Sequence, residues 1–349
     1  MQPIARIKGK MNFKILLFPI SMVYLLLYRL NSMLYKVGLR KSYTFKVPVV
    51  SIGNITVGGT GKTPITKTIA KYFLDQGLRP GIVSRGYKRQ SKDMVRVCDG
   101  KTTLADITQC GDEPYLLSKA LQMRVPIVVS NNKVNAINAI QDDYGVDLVI
   151  LDDGFQSFSI KRDVDIVLIN KNESYGAYWL LPTGRMREPL SALSRSDFIV
   201  LTKTGKIQRV IEDAMKSSKL NVLDSSTSTF IVKEASNGEL ERVSLSKGLS
   251  IMAFCGIADE KSFFQSLLDL NLSIKKDITF SDHHSYSKND ILSIKKEMTG
   301  QAVDCIVTTE KDYYKLPKSF IEQCNVHVIK YEINLDDKDL ESIKLSVGL

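Results

Sequence analysis

Val57-Gly58-Gly59-Thr60-Gly61-Lys62-Thr63 is the stretch that decides the reading of this chain. An apolar run, Val47-Pro-Val-Val-Ser-Ile52, precedes it. Pro64-Ile-Thr-Lys-Thr-Ile-Ala-Lys-Tyr-Phe-Leu74 follows, with helical spacing of its apolar residues. Strand, glycine-rich turn and helix, in that order, make Gly-Lys-Thr a phosphate loop rather than an ordinary turn. Glycines let backbone N–H groups close around phosphate oxygens, and the helix N-terminus adds its positive dipole end. Thr56, Val57, Gly58, Gly59, Thr60, Gly61, Lys62 and Thr63 are therefore the expected phosphate cradle. Lys62 would reach the β- and γ-phosphates, and the Thr63 hydroxyl would ligate Mg2+. The strict spacing asks for glycine where this chain has Thr56.

Outward from that loop, 349 residues allow two globular domains with a sizeable core. A hydrophobic content of 44% and a charged content of 25% are ordinary for a folded soluble protein. The net charge of +10 suggests nucleic acid until it is located along the chain. Residues 1 to 74 hold 12 Lys/Arg and no Asp or Glu, which leaves 36 basic against 38 acidic residues in the rest. The basicity belongs to the N-terminal segment, so a local anionic contact is expected and a broad nucleic-acid face is not. Cys98, Cys110, Cys255, Cys305 and Cys324 are dispersed, with no C-x-x-C pair. That pattern predicts reduced, cytosolic, mostly buried thiols and no disulfide framework.

Within the basic segment, Ile15 to Tyr28 is uncharged and mostly apolar, 14 residues interrupted by Pro19. A membrane span needs about 20 such residues, so this one falls in the interfacial range. Arg6, Lys8, Lys10 and Lys14 precede it; Arg29, Lys36, Arg40 and Lys41 follow. An apolar face rimmed by cations suits a helix lying in the headgroups of an anionic leaflet. A buried core helix would explain the apolarity but not the rim. A signal peptide would need a small-residue cleavage site, absent before Asn31, and a phosphate loop works on cytosolic nucleotide. Translation could start at Met1 or at Met11.

Downstream, buried β-branched runs alternate with helical patterns. Gly81 to Ser84, Pro126 to Val129, Asp147 to Leu151, Asp165 to Ile169 and Phe198 to Leu201 are the expected strands, with helices near 114–122, 133–141 and 206–217. Alternation of this kind predicts a parallel sheet covered on both faces. Asn237-Gly238 between two short alternating runs signals a hairpin. A second α/β unit begins at Leu249, with strands expected at 278–280, 303–307 and 326–329. The expected organisation is an N-terminal membrane-associated segment (1–46), a phosphate-loop α/β domain (47–225), a β-hairpin linker (226–246) and a smaller C-terminal α/β domain (247–349).

A nucleotide enzyme also needs acidic ligands for Mg2+ at the end of an apolar strand, where ligands bind in open α/β sheets. Leu148-Val-Ile-Leu-Asp152-Asp153 supplies them, and either carboxylate could reach the ion. Phosphoryl transfer requires a base for the attacking hydroxyl. The chain has three histidines, and Asp282-His283-His284 follows an expected strand of the second unit. A metal cluster there would lack a third ligand at suitable spacing. Gly111-Asp112-Glu113-Pro114 opens a helix, where acidic residues are commonly caps.

Together these stretches resemble the tetraacyldisaccharide 4′-kinase family of lipid A biosynthesis. The resemblance is carried by Gly53-Asn54 with the loop to Thr63, Val83-Ser-Arg-Gly-Tyr87, Gly111 to Pro114 and Asp152-Asp-Gly-Phe-Gln156. Leu181-Pro-Thr-Gly-Arg-Met-Arg-Glu-Pro189, Asp282-His283 and Thr309-Glu-Lys-Asp312 continue it in family order. It implies two α/β/α domains joined by a two-stranded linker, with an amphipathic N-terminal helix on the inner membrane. It further implies ATP and Mg2+ as cofactors and a lipid A disaccharide 1-phosphate as acceptor. Asp112 and His283 would form a dyad that activates the 4′-hydroxyl, with the proton going to either, while Lys62 stabilises transferred charge. Arg85, Glu113, Gln156, Arg187 and Glu188 would contact substrate. Thr309 to Asp312 would touch nucleotide or cap a helix. One departure stands out: the family follows Asp-Asp-Gly-Phe-Gln with His-Arg, and this chain has Ser157-Phe158.

Two rival classes draw on other features. Asn170-Lys171-Asn172-Glu173 nearly matches the guanine-specifying Asn-Lys-x-Asp, which would suit a membrane-associated regulatory GTPase. Glu in place of Asp, and the lack of a usable Asp-x-x-Gly switch, oppose it. A nucleotide-binding membrane adaptor without turnover is the other.

Overall fold

The computed structural model describes the backbone of residues 4–349 except 219, 237, 247, 248 and 302, and side chains from residue 16 onward with the same exceptions. Asn237 of the expected hairpin, residues 1–3 and the side chains of Arg6, Lys8, Lys10 and Lys14 lie outside the described residues.

The apolar runs form two sheets. The first contains β1 (Val49–Asn54), β2 (Pro80–Ser84), β3 (Val95–Asp99), β4 (Pro126–Val129), β5 (Leu148–Asp152), β6 (Val164–Asn170), β7 (Phe198–Thr202) and β8 (Asn221–Asp224). Their spatial order is β3-β4-β2-β5-β1-β6-β7-β8. All neighbours are parallel except β3, which runs antiparallel to β4 at the edge. Strands β1, β2, β4, β5 and β7 are buried at every residue, because helices cover both faces. Helix Lys62–Asp75 puts Ile65, Ile69 and Phe73 into the core on one face; helix Lys133–Tyr144 puts Ile137 and Ile140 into the other. Parallel pairing of β1 with β5 sets Ile52 opposite Asp152, so the phosphate loop and the acidic strand end emerge side by side.

The second sheet holds β9 (Ser226–Glu234), β10 (Leu240–Val243), β11 (Ser250–Cys255), β12 (Ser273–Thr279), β13 (Cys305–Thr309) and β14 (Val326–Asn334), ordered β10-β9-β14-β13-β11-β12. Its own core centres on Phe254, Ile306, Phe320 and Val328. The chain is thus the expected mixed α/β fold with a parallel-sheet first domain and a smaller second one.

Two expected boundaries require correction. The hairpin β9–β10 exists, but the link between the domains is not confined to 226–246. β9 pairs along its length with β14, from Ser226↔Asn334 to Val232↔Val328, and this antiparallel pair carries the chain into the second domain and back. Residues 247–349 are likewise not one domain. After β14, helix Asp337–Val347 returns to the first domain, where Leu335, Leu340, Ile343 and Val347 join the core against helix Lys62–Asp75. Local pattern cannot report such a return, since an amphipathic helix looks the same whichever sheet it covers. Edge strands β3 and β8 were also not expected; each is short, and exposed positions weaken its signal.

Ahead of both domains, helix Ile4–Lys36 is far longer than the 14-residue apolar run. Its outer face exposes Leu16, Val23, Leu26, Leu27, Leu30 and Met33. Its inner stripe bonds the segment 180–188. Ser21 Oγ donates to the Leu180 carbonyl (3.1 Å) and lies 2.7 Å from Thr183 Oγ1, while Tyr24 Oη donates to the Arg187 carbonyl (2.7 Å).

Candidate active site

The loop after β1 has the backbone that phosphate cradling requires. Gly58 and Gly61 adopt φ of +121° and +88°, a region costly for any residue with a Cβ. Helix Lys62–Asp75 then starts with no side-chain cap, so its first N–H groups are free for an anion. Thr60 is pinned from below: Asn54 Nδ2 donates to its hydroxyl (2.8 Å) and Thr202 Oγ1 to its carbonyl (2.9 Å). Thr56 bridges to Met186, and the Val57 N–H donates to the Arg185 carbonyl (2.7 Å). Thr63 is the second residue of the helix, and Lys62 Nζ lies 3.8 Å from Asp153 Oδ1.

The two carboxylates at the end of β5 occupy different environments. Asp152 is 2% exposed; its Oδ2 accepts from Ser84 Oγ (2.9 Å), and its Oδ1 is buried without a partner. Burial first, and then the charges of Glu113 and Asp153, push its carboxyl up to about 6. Asp153, at φ +52°, turns toward cations and accepts from Arg187 at 3.0 and 2.9 Å. Burial would raise this carboxyl, but the Arg187 hydrogen bonds and the Lys62 charge hold it at about 2. Lys133 Nζ donates to both residues' carbonyls, at 3.1 and 2.7 Å, and burial draws its pKa down to about 8. An orphaned, buried carboxylate oxygen beside the phosphate loop fits a Mg2+ ligand, and of the pair Asp152 is the one with an oxygen to spare.

Across the domain interface, His283 Nδ1 lies 2.9 Å from Asp112 Oδ2. Asp112 is the first residue of helix Asp112–Ala120 and does not cap it. His283 sits at φ +63°, with its N–H bonded to the Gly256 carbonyl (3.0 Å). Asp312 accepts the Gly256 N–H (2.9 Å) and the Thr309 hydroxyl (2.6 Å). The Thr309-to-Asp312 motif is thus a helix cap that braces the backbone under His283. The same segment sends Lys311 to Glu113 (3.2 Å) and Lys315 to Asp112 Oδ2 (2.6 Å). Burial raises the Asp112 carboxyl, yet hydrogen bonds from His283 and Lys315 outweigh it and leave the group below its ordinary value. An ionised carboxylate only accepts, so His283 Nδ1 carries the hydrogen of this contact.

On the first domain, beside the end of β5, lies a polar cleft of about 580 Å³, lined by Arg85, Lys133, Asp153, Gln156, Ser157 and Arg187. Gln156 Nε2 donates to the Asn54 carbonyl (2.9 Å), tying the cleft to β1. Ser157 lines this wall with a short hydroxyl. Glu113 faces Asp152 and the Lys311 ammonium. Glu188, also expected to contact substrate, does not line this cleft. It is 0% exposed and bound to Arg195 (2.6 Å) and Tyr28 (2.9 Å), a buried junction between the N-terminal helix and the 187–195 segment. The guanine-like motif is also accounted for: Lys171 pairs with Asp224 (2.9 Å) and Glu173 is a buried partner of Arg185 (2.7 Å).

Sequence reasoning missed Lys133 and Lys315, since a lone lysine carries no pattern. Lys315 stands three residues beyond a motif already singled out, and that proximity was the available signal.

A phosphate loop, an acidic strand end beside it and an imidazole–carboxylate pair contributed by two domains define a nucleotide-dependent phosphotransferase. The profile of one family, LpxK, described as tetraacyldisaccharide-1-P 4′-kinase, matches residues 13–347. A tetraacyldisaccharide 4′-kinase of Halothermothrix orenii is 35% identical over 347 residues, covering 92% of this chain and 90% of the relative. One from Pelobacter propionicus is 36% identical over 305 residues, covering 86% and 82%. Among solved structures, the "apo" form of LpxK from Aquifex aeolicus in complex with ATP superposes with a TM-score of 0.78 at 29% identity, covering 96% of this chain and 98% of that one. This chain belongs to the tetraacyldisaccharide-1-P 4′-kinase family.

Proposed function

We propose that this kinase transfers the ATP γ-phosphoryl group to the 4′-hydroxyl of a tetraacyl glucosamine disaccharide 1-phosphate, at the cytoplasmic face of the inner membrane. The observation that carries the reading is the Asp112–His283 contact across the domain interface, because it needs both domains in place. A sugar hydroxyl is too weak an acid to ionise at neutral pH, so its proton must pass to a positioned acceptor. Asp112 Oδ2 is already taken by the His283 hydrogen bond and the Lys315 ion pair, which leaves Asp112 Oδ1 and His283 Nε2 open to the hydroxyl. Lys62 and the free helix N-terminus hold the triphosphate and the charge that develops on it. Mg2+ would be held by the Thr63 hydroxyl and Asp152, and when bound it neutralises charge on the phosphate oxygens. Arg85, Lys133, Gln156 and Arg187 supply the cations and the amide that orient a phosphorylated sugar in the polar cleft.

The N-terminal helix delivers that sugar. It is long and apolar enough to cross a bilayer by composition. Ser21, Tyr24 and Tyr28, one face of it, are nevertheless bonded to the globular body, which favours a helix lying along the leaflet. Arg29, Lys36, Arg40 and Lys41 add attraction to anionic headgroups.

Labelled ATP incubated with the protein and the disaccharide acceptor should yield a phosphate monoester at the 4′-position. Absence of transfer, or equal transfer from GTP, would defeat the assignment. Cosedimentation with anionic vesicles should disappear on deletion of residues 1–40; unchanged sedimentation would remove the membrane role.

A further inference from the structure

Arg185 lies beside the phosphate loop and has no task in the reaction described so far. The segment Arg185–Arg187 runs against the loop as a short ribbon. The Val57 N–H donates to the Arg185 carbonyl and the Arg187 N–H to the Ile55 carbonyl, both at 2.7 Å. In such a ribbon alternate side chains share a face. Met186 is buried on one side, while Arg185 and Arg187 project toward the loop. Arg187 shares Asp153 with Lys62, the lysine assigned to the β- and γ-phosphates, so this face is the γ-phosphate end of the loop.

The Arg185 guanidinium is held in one orientation by two of its nitrogens. Nε donates to the Val57 carbonyl (2.9 Å), and Nη1 donates to Glu173 (2.7 Å), a carboxylate that is itself 7% exposed. Nη2 has no acceptor among the described residues and rests directly on Gly58, where an added Cβ would lie 1.7 Å from it. The loop residue beneath the guanidinium is therefore one that leaves it room. A cation oriented by a buried carboxylate, with an unused N–H pair over the phosphate loop, has the geometry of a group that meets charge as it develops.

We propose that Arg185 is a catalytic residue, an arginine supplied in cis whose Nη2 neutralises the γ-phosphoryl group in flight. The proposal rests on the kinase reading above. In the step it serves, the acceptor 4′-oxygen forms a bond to the γ-phosphorus as the bond to the β,γ-bridging oxygen breaks. The hydroxyl proton goes to the Asp112–His283 dyad, and the electron pair of the broken bond stays on the β-phosphate of ADP. Charge spreads over the three equatorial oxygens in that transition state, and a planar guanidinium fork matches it better than a single ammonium.

The test uses the full chain with ATP and the disaccharide acceptor. Arg185→Ala should lower kcat by about 100-fold or more while the KM for ATP changes less than about threefold. Arg185→Lys, which retains the Glu173 ion pair, should lose nearly as much, and free guanidinium should restore part of the Arg185→Ala rate. The wild type should trap ADP with aluminium fluoride, a mimic of the transferring phosphoryl, and both variants should fail to. Wild-type kcat in Arg185→Lys would overturn the proposal, as would a loss confined to ATP KM. If Arg185→Ala melts early, Arg185→Lys carries the decision: reduced kcat at wild-type melting temperature supports it and full activity refutes it. A wild-type protein that transfers nothing from ATP would instead sink the underlying kinase reading.

Discussion

Lys315 Nζ lies 2.6 Å from Asp112 Oδ2, the oxygen that also accepts from His283 Nδ1. One carboxylate oxygen of the first domain thus meets an imidazole and an ammonium group from the second. Replacing Lys315 by Met keeps the stem and deletes the charge. Burial would then raise the Asp112 carboxyl with one fewer opposing group. Activity that needs ionised Asp112 is present above its pKa, so the acid limb of the kcat/KM profile should move to higher pH. At neutral pH we expect kcat to fall by about tenfold. Superimposable profiles for wild type and Lys315→Met would show that Lys315 does not support the dyad.

His283→Ala removes the imidazole but leaves the phosphate loop untouched. Turnover should drop by about 10²- to 10⁴-fold. The ATP dissociation constant, measured by calorimetry, should stay near wild type. Retained turnover would dismiss the dyad.

Lys62→Ala should cost about 100-fold in kcat or more, since the lysine stabilises transferred charge. It also releases Asp153 from a neighbour 3.8 Å away, so a raised Asp153 carboxyl should accompany the loss and be visible by NMR titration.

Tyr28→Phe deletes one hydroxyl at the fully buried Glu188. The carboxylate keeps Arg195 but loses a donor, at an expected cost of about 1–3 kcal/mol in urea unfolding. Because Glu188 follows Arg187 directly, KM for the acceptor should rise as well. An unchanged unfolding midpoint would contradict the anchoring role.

Asp153 is depressed from 3.8 to about 2 in the folded protein. A carboxyl with a lowered folded pKa contributes stability above its unfolded value and loses it as pH falls through the folded one. The stability difference between wild type and Asp153→Asn should therefore be full above pH 4 and shrink between about pH 4 and 2. A difference that is constant across that window would refute the pairing with Arg187.

Much of this was legible without coordinates, for a physical reason. A phosphate loop is a local object: glycines at positive φ, a lysine and a hydroxyl within seven consecutive residues. Buried parallel strands are likewise written as runs of Val, Ile and Leu, as at Leu148–Asp152. The five cysteines, read as buried and unpaired, are so. Glu188 shows the opposite case: sequence neighbours Arg187 and Glu188 point into a polar cleft and a buried junction respectively, and adjacency cannot say which.

From its order of residues alone, this chain specifies a phosphate loop followed by a helix, an acidic strand end, a basic apolar N-terminus and a second α/β unit. Each depends on contacts within a few residues or on a period along one element. Only the tertiary structure decided that β14 pairs with β9, that the last helix returns to the first core, and that Lys315 and His283 meet Asp112. Those contacts join positions separated by about a hundred residues or more, where the free energy of burial and charge pairing depends on the assembled shape.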